Sequence, residues 1–380
     1  MQRFVFLMLI LFSLPASRAL AQTTGQGRVE VVFCLDLSGS TNGLIDRFRD
    51  HFWDYTYSMS KCNPQLVYRF GIVGFSRPSF KRENGYVKVL KDLTTDMEAV
   101  ASELFELKTS VEKGDQLVGH ALLACNKNIS WSEDSSVVKI LFVVGNGLVN
   151  EGGTDFRKAT QELYAAGIVV NTLYCNTKTM NTIEIGGWKE IAEIGKGYFS
   201  SFSVRSNYYT STGSVDMKKL HALNDSLNNT YLYYGASGKE RWQMLWDLDR
   251  KIYFSNPQGY IYRSRFKIST LYQKKNSSWD LVDLLFVKGE LKLADFDPVY
   301  LPEPLRTMNE EEFRKLLMKN KVNRARFLSE IKNEFAVQDR AASEDSTVTG
   351  KRMLTFDTLT LKIIHTILEK KGYVCEAKKP

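Results

Sequence analysis

The sequence predicts a doubly wound α/β fold with a mostly parallel open sheet, followed by an α-rich C-terminal region. From residue 28 to about 203, short runs rich in β-branched and aromatic residues alternate with stretches whose apolar residues recur at helical spacing. The run "VVKILFVVG" at 137–145 is almost continuously apolar, as expected for a strand covered on both faces. Such alternation implies parallel strands joined by right-handed crossovers.

The predicted strands define the sheet. In chain order they cover residues 28–37, 65–76, 85–93, 137–145, 168–175 and 198–204. The second and third flank the turn-rich segment "RPSFKRENG", which predicts an antiparallel hairpin. Helical patterns separate the other strands, which are therefore expected to be parallel.

The helical patterns of this half lie at 43–60, 94–108, 117–128, 155–167 and 186–197. The second opens on an acidic turn, for which Thr94 or Thr95 is the predicted N-cap. Gly167 follows the fourth and is the predicted C-terminal stop, because glycine adopts the left-handed conformation there at little cost.

The polar stretch "RSNYYTSTGS" predicts a boundary between a domain at 28–205 and a mainly helical extension at 206–380. Within the extension we predict helices, a strand, an irregular proline-containing segment and a flexible break. The helices cover 216–255, 308–340 and 355–372, the strand 258–273, the irregular segment 276–305 and the break 343–351. Pattern alone predicts no fold for this half.

Residues 1–21 are predicted to be a signal peptide. Arg3 precedes the apolar run "FVFLMLILFSL", which is too short to span a membrane, and Ala19-Leu20-Ala21 is a small-x-small cleavage sequence. An uncleaved anchor is the alternative interpretation. No later segment approaches 18 apolar residues, so we expect an exported chain, periplasmic or secreted, with no stable membrane insertion.

The net charge of +8 does not indicate a nucleic-acid partner, because basic and acidic residues interleave as on solvated helices. The five cysteines form no CxxC pair and no zinc-like spacing. Cys34 and Cys175 lie in apolar runs typical of a core. Cys62 and Cys375 lie in polar surroundings and are able to pair, but the sequence assigns no disulfide.

The segment "DLSGS" follows the first strand directly, where ligands bind an open α/β sheet. Asp36, Ser38 and Ser40 alternate, so they project one carboxylate and two hydroxyls to a common side. Such hard oxygen donors, with room for water, suit Mg²⁺. The alternative is an ordinary turn that caps the next helix. A phosphate-binding loop is disfavoured, because GK[ST] is absent.

This segment resembles the DxSxS sequence of von Willebrand factor A (VWA) domains, where it forms the first loop of a metal-ion-dependent adhesion site. The resemblance covers residues 28 to about 203, including the late "GWKEIAEIGKGYF". It implies two further loops that complete the site. The second family loop carries a Thr, but Val118 stands at that position, so Asp115, or less favourably Gln116, is the expected donor. The third usually carries Asp-Gly, and here Asn146 replaces the carboxylate.

The resemblance implies a non-enzymatic binding protein with a metal at Asp36, Ser38, Ser40, Asp115 and Asn146. Mg²⁺ is the expected ion, with Ca²⁺ or Mn²⁺ as alternatives, and an acidic side chain of a protein partner is expected to complete its coordination. Two alternatives stay open: a structural envelope protein with a degenerate site, and a metal-dependent hydrolase. The hydrolase is disfavoured, because no general base stands at a recognisable spacing.

The four histidines lie in helical patterns, and no pair has metal-ligand spacing. His120 lies near the predicted site but is expected to serve the helix. The aromatic run "TYLYYG" at 230–235 and the tryptophans Trp242, Trp246 and Trp279 are expected to pack rather than to bind a ligand.

Overall fold

The computed structural model describes residues 27–63, 65–107, 115–176, 182–203, 215–269, 271–272, 275–344 and 356–375. The predicted signal peptide, the polar linker and most of the predicted flexible break lie outside these residues.

Six strands form one open sheet, and a short two-stranded pair lies apart from it. The strands are β1 (Gly27–Asp36), β2 (Cys62–Asn63), β3 (Leu66–Phe75), β4 (Lys88–Thr94), β5 (Val138–Gly145), β6 (Ile168–Asn176), β7 (Lys196–Ser203) and β8 (Val374–Cys375). The sheet order is β4-β3-β1-β5-β6-β7. β4 pairs antiparallel with β3, whereas the other neighbours in the sheet pair in parallel. The predicted doubly wound fold and its hairpin are confirmed.

Helices cover both faces of the sheet. In chain order they are α1 (Leu44–Met59), α2 (Met97–Glu106), α3 (Val118–Lys127), α4 (Phe156–Ala165), α5 (Thr182–Ile194), α6 (Met217–Asn228), α7 (Gly238–Ser255), α8 (Pro257–Lys267), α9 (Leu281–Lys288), α10 (Glu310–Glu344) and α11 (Phe356–Lys370). Alternate residues of β1 enter different cores: Val31 and Phe33 pack with α1 and α2, whereas Val32 and Cys34 pack with α3 and α4. The sheet is therefore buried on both sides.

Three predictions about local structure are wrong. The segment predicted to be irregular at 276–305 contains helix α9. The predicted strand at 258–273 is largely helix α8, which Pro257 begins and the Asn256 side chain caps by accepting from Gly259 N at 2.8 Å. The N-cap of α2 is Asp96, which accepts from Ala99 N, and neither Thr94 nor Thr95. Gly167 does adopt a left-handed conformation after α4, as predicted, with φ of 79°.

The end of the chain returns to the sheet. α11 packs against α1 and β7, and Ser58 Oγ lies 3.0 Å from His365 Nε2. A disulfide joins Cys62 to Cys375 and settles the pairing that the sequence left open. Residues 356–375 therefore pack with the sheet domain, although they lie within the stretch assigned from sequence to the extension.

A buried ionic cluster connects α2 to the helices of the extension. The Glu98 carboxylate lies 2.6 Å from Lys275 Nζ and 3.4 Å from Arg263. Arg263 Nε also donates to Asp249 at 2.5 Å, and Lys267 pairs with the same carboxylate. Burial alone would raise the pKa values of Glu98 and Asp249, but the neighbouring cations lower each to about 2.

Among the described residues, the helices include none that combines the length and apolar character needed to cross a bilayer.

Candidate cation site at the carboxyl edge of the sheet

Two central strands bring the candidate site together. β1 and β5 run in parallel with Leu35 opposite Val144, so Asp36 and Gly145 reach the same edge of the sheet. A Cβ atom at Gly145 would lie only 2.6 Å from the Asp36 Cβ, which is too close for any side chain. Glycine at this position lets the next residue, Asn146, enter the loop beside Asp36.

Asp36 is fully buried and only partly compensated. Its Oδ1 accepts from Ser38 N at 2.9 Å, and its Oδ2 has no partner at hydrogen-bonding geometry. Burial raises the pKa of Asp36 to about 6, although the neighbouring polar groups of Ser38, Asn146 and Ser76 favour the charged form. A Lys or Arg side chain ordinarily offsets such a buried charge. Among the ion pairs of the described residues, none brings a Lys or Arg side chain to Asp36.

The two serines and Asn146 form a connected set of oxygens. Ser38 Oγ lies 2.8 Å from Ser40 Oγ, and Ser40 Oγ donates to Asn146 Oδ1 at 2.9 Å. Thr41 fixes the turn, since its hydroxyl donates to the carbonyl oxygens of Asp36 at 2.8 Å and Ser38 at 3.0 Å. The structure thus brings together the first-loop and third-loop residues that the sequence singled out.

In the second loop, Gln116 reaches these oxygens and Asp115 does not. Gln116 Nε2 lies 3.0 Å from Asn146 Oδ1, 3.2 Å from Ser40 Oγ and 3.5 Å from Ser38 Oγ. The Asp115 side chain is exposed and makes no described hydrogen bond or ion pair with the other four predicted ligands. The second-loop side chain that reaches the oxygens is therefore that of the residue the sequence ranked second.

Two carboxylates that sequence reasoning missed hold the loops. Glu151 Oε2 accepts from Gln116 N at 2.9 Å, and Glu184 Oε2 accepts from Gly147 N at 3.0 Å. Glu184 also accepts from the Tyr174 hydroxyl at 2.6 Å. These partners are 35 and 37 positions apart along the chain, so no local pattern marks them.

The nearby helix α3 contributes support rather than donors. Val118 is fully buried in the apolar core beneath the site, so this position supplies no oxygen. His120 Nε2 lies 3.1 Å from Thr154 Oγ1, which ties α3 to the loop that follows β5. This agrees with the structural role in its helix that we expect for His120.

The donor set fits a hard divalent cation. It comprises the Asp36 carboxylate, the hydroxyls of Ser38 and Ser40 and the amide oxygen of Asn146. Gln116 presents its Nε2 to these oxygens, and its Oε1, like Asp36 Oδ2, is buried without a partner. The described residues contain no cluster of three or more His, Cys, Asp or Glu side chains. Among the predicted ligands that the described residues bring together, Asp36 is the one that carries a charge.

The junction of α2 and α7 carries a separate cleft of about 200 Å³. Its charged groups are already paired: Arg241 lies 2.6 Å from Asp96, and Lys275 lies 2.6 Å from Glu98. This cleft therefore offers no uncompensated charge, in contrast to the site at the sheet edge.

No protein-family model and no curated protein matches this sequence. Solved structures do align with it at low identity. An aerotolerance-related membrane protein from Bacteroides fragilis NCTC 9343 is 18% identical over 46% of this chain and 91% of its own, with a TM-score of 0.34. The SpRpn10 VWA domain is 10% identical over 48% and 91%, with a TM-score of 0.35.

Proximal thread matrix protein 1 from the mussel byssus aligns at 15% identity and a TM-score of 0.36, over 47% of this chain. The aligned part spans 44% of that protein, which is less than half of its length. At these identities and TM-scores the likenesses carry no conclusion about function, and the fold class rests on the strand order of this chain itself.

Proposed function

We propose that this chain is an exported, non-catalytic protein-binding module whose sheet-edge site holds a divalent cation. The observation that carries the proposal is the fully buried Asp36 carboxylate, whose Oδ2 lacks a partner beside two hydroxyls and an amide oxygen. A buried, uncompensated carboxylate is costly unless a cation neutralises it. Mg²⁺ is the first candidate, and Mn²⁺ or Ca²⁺ suits the same oxygen donors.

The residues of the site have distinct tasks in this proposal. Asp36 supplies the charge, Ser38 and Ser40 orient hydroxyl oxygens, and Asn146 presents an amide oxygen without charge. When bound, the cation supplies an open coordination position that takes a carboxylate from a protein partner. Since the site itself contributes one carboxylate, a partner's Asp or Glu adds the negative charge that the site lacks.

Calorimetric titration of the full chain with Mg²⁺, Mn²⁺ and Ca²⁺ tests the cation. We expect measurable binding to the wild type and none to Asp36→Asn, which keeps the side-chain shape but removes the charge. Asp115→Asn is the matched control, because it removes an exposed carboxylate from the neighbouring loop and is expected to leave binding unchanged. Equal binding by wild type and Asp36→Asn would refute the assignment of the site.

Capture of partners from an envelope extract, with and without EDTA, tests the interaction. A partner that binds wild type in Mg²⁺, is released by EDTA and is not captured by Asp36→Asn supports the proposal. Capture that is indifferent to both EDTA and the substitution would show that this site is not the binding surface.

A further inference from the structure

We propose that the carboxamide of Gln116 occupies the place of the cation when no cation is bound, and thereby sets the affinity of the site. We call this group the Gln116 latch. The inference rests on the proposed function and adds to it a competitor built into the chain: a cation enters only when the amide nitrogen turns away from the oxygens.

The first support is the position of the amide nitrogen. Gln116 Nε2 has three oxygen neighbours within 3.5 Å, which belong to Ser38, Ser40 and Asn146. These are three of the oxygens assigned to the cation. An amide NH₂ carries partial positive charge and donates two protons, so it satisfies acceptors that otherwise attract a metal.

The second support is the state of the other end of the carboxamide. Gln116 Oε1 is buried without a hydrogen-bond partner, which is an unfavourable state for a carbonyl oxygen. Turning the carboxamide over would bring this oxygen to the site and make it a donor to a bound cation. The same rotation therefore removes a competitor and satisfies an unpaired acceptor.

The third support is that the surrounding loops hold the backbone of Gln116 and place a glycine against its carboxamide. Its backbone N–H is fixed by Glu151 Oε2 at 2.9 Å. Gly147 has φ of 84°, and a Cβ at that position would lie 2.4 Å from Gln116 Oε1. The left-handed backbone at residue 147 favours glycine, so the third loop presents no side chain at this position to the carboxamide.

The latch makes an unusual prediction, because removal of a potential ligand should not weaken binding. Gln116→Ala deletes one neutral amide oxygen, which water replaces as a ligand, and it also deletes the hydrogen bonds that a cation must break. We expect it to bind Mn²⁺ about threefold to tenfold more tightly than wild type, which corresponds to one hydrogen bond of ordinary net strength. Gln116→Glu replaces the NH₂ with a charged oxygen and should bind more tightly still.

The test is a titration of the full-length chain with Mn²⁺, followed by electron paramagnetic resonance, for wild type, Gln116→Ala, Gln116→Glu and Asp36→Asn. Thermal unfolding without metal confirms that each variant is folded. In wild type, the side-chain NH₂ resonances of Gln116 should shift when diamagnetic Mg²⁺ is added, and those shifts should be absent in Asp36→Asn.

The outcomes separate the latch from the proposed function. If wild type binds and Gln116→Ala binds more weakly, the site is a cation site and Gln116 is an ordinary ligand, so the latch is refuted. If the Gln116 variants bind and wild type does not, the latch is supported, while the cation-dependent function of the wild type is refuted. If no variant binds, both are refuted.

Discussion

Asp36 and Asp249 are both buried carboxylates, with 0% and 2% of their surfaces exposed, but their surroundings are opposite. Asp249 lies among Arg263, Lys267 and Asn228, and its pKa falls to about 2 despite burial. Asp36 is surrounded by hydroxyl and amide groups, and burial raises its pKa to about 6. The protein thus neutralises one buried charge internally, whereas no ion pair of the described residues brings a Lys or Arg side chain to the other.

The difference distinguishes a structural ion cluster from a candidate binding site. In the cluster, the charges of α2, α7 and α8 satisfy one another, and Arg263 also lies over the Trp53 ring at 4.5 Å. Such a cluster fixes how the helices pack. At the sheet edge, the negative charge of Asp36 is left to be neutralised by an added cation. Both carboxylates are buried, so the two roles differ in whether neighbouring cations neutralise the carboxylate.

The largest effect is expected from breaking the ionic cluster. Asp249→Asn removes the carboxylate that Arg263 and Lys267 share, and leaves buried positive charge. We expect the free energy of unfolding to fall by about 3–5 kcal/mol, as for other broken buried ion pairs. Denaturant unfolding measures this value.

The matched control is the surface pair of Arg157 and Glu190, whose side chains are 54% and 36% exposed. Glu190→Gln should cost no more than about 1 kcal/mol, because water screens the pair. If Asp249→Asn costs as little as this control, the cluster does not hold the extension to the sheet domain.

Acid should weaken the cluster in a defined range of pH. The pKa values of Glu98 and Asp249 are about 2 in the folded chain and about 4 in an unfolded one. Their contribution is therefore complete above pH of about 4 and is lost as the pH falls toward 2, by about 2–3 kcal/mol for each carboxylate. Unfolding curves of wild type and Asp249→Asn between pH 2 and 7 should converge at the acid end. Curves that stay parallel would contradict the assignment.

Asp36→Asn should have the opposite effect on the free energy of unfolding, which it should raise. Ionisation of Asp36 costs free energy above its raised pKa of about 6, and this cost is absent below about pH 4, where both states are protonated. In EDTA at pH 8, the amide should therefore stabilise the chain by about 1–3 kcal/mol, and the gain should vanish at pH 4. A loss of stability at pH 8 would show that Asp36 is already compensated.

The sequence predicts those features that depend on a single strand or helix. β1 and β5 are read from apolar runs, because both of their faces are buried. Asp36, Ser38 and Ser40 are read from their place at the end of β1. The sequence of α8 predicts a strand because its Tyr, Ile and Phe residues have high strand propensity.

The buried residues of α8 instead follow helical spacing. Tyr260, Arg263, Ser264 and Lys267 are all buried and recur at intervals of three and four. Two of them are charged, and their burial depends on Asp249 and Glu98 in other helices. A pattern based on hydrophobicity does not assign charged residues to a core, so it does not predict that this face of α8 is buried.

The position of Gln116 in the second loop is hard to predict for a similar reason. Asp115 carries the charge that a cation needs, so it was the better candidate from composition alone. The orientation of the loop depends on Glu151, which fixes Gln116 from 35 positions away. Contacts over such a separation are set by the folded chain and leave no local signal.

The smallest expected effect, and the most direct test of the central claim, is the stability gained from Mg²⁺ at pH 8. Unfolding of wild type and Asp36→Asn would be compared in EDTA and across a range of Mg²⁺ concentrations. If the uncompensated Asp36 is a cation site, Mg²⁺ at ten times its Kd should stabilise wild type by about 1.4 kcal/mol, in a concentration-dependent manner. Asp36→Asn should not respond. Equal responses of the two chains, or no response of either, would contradict the account.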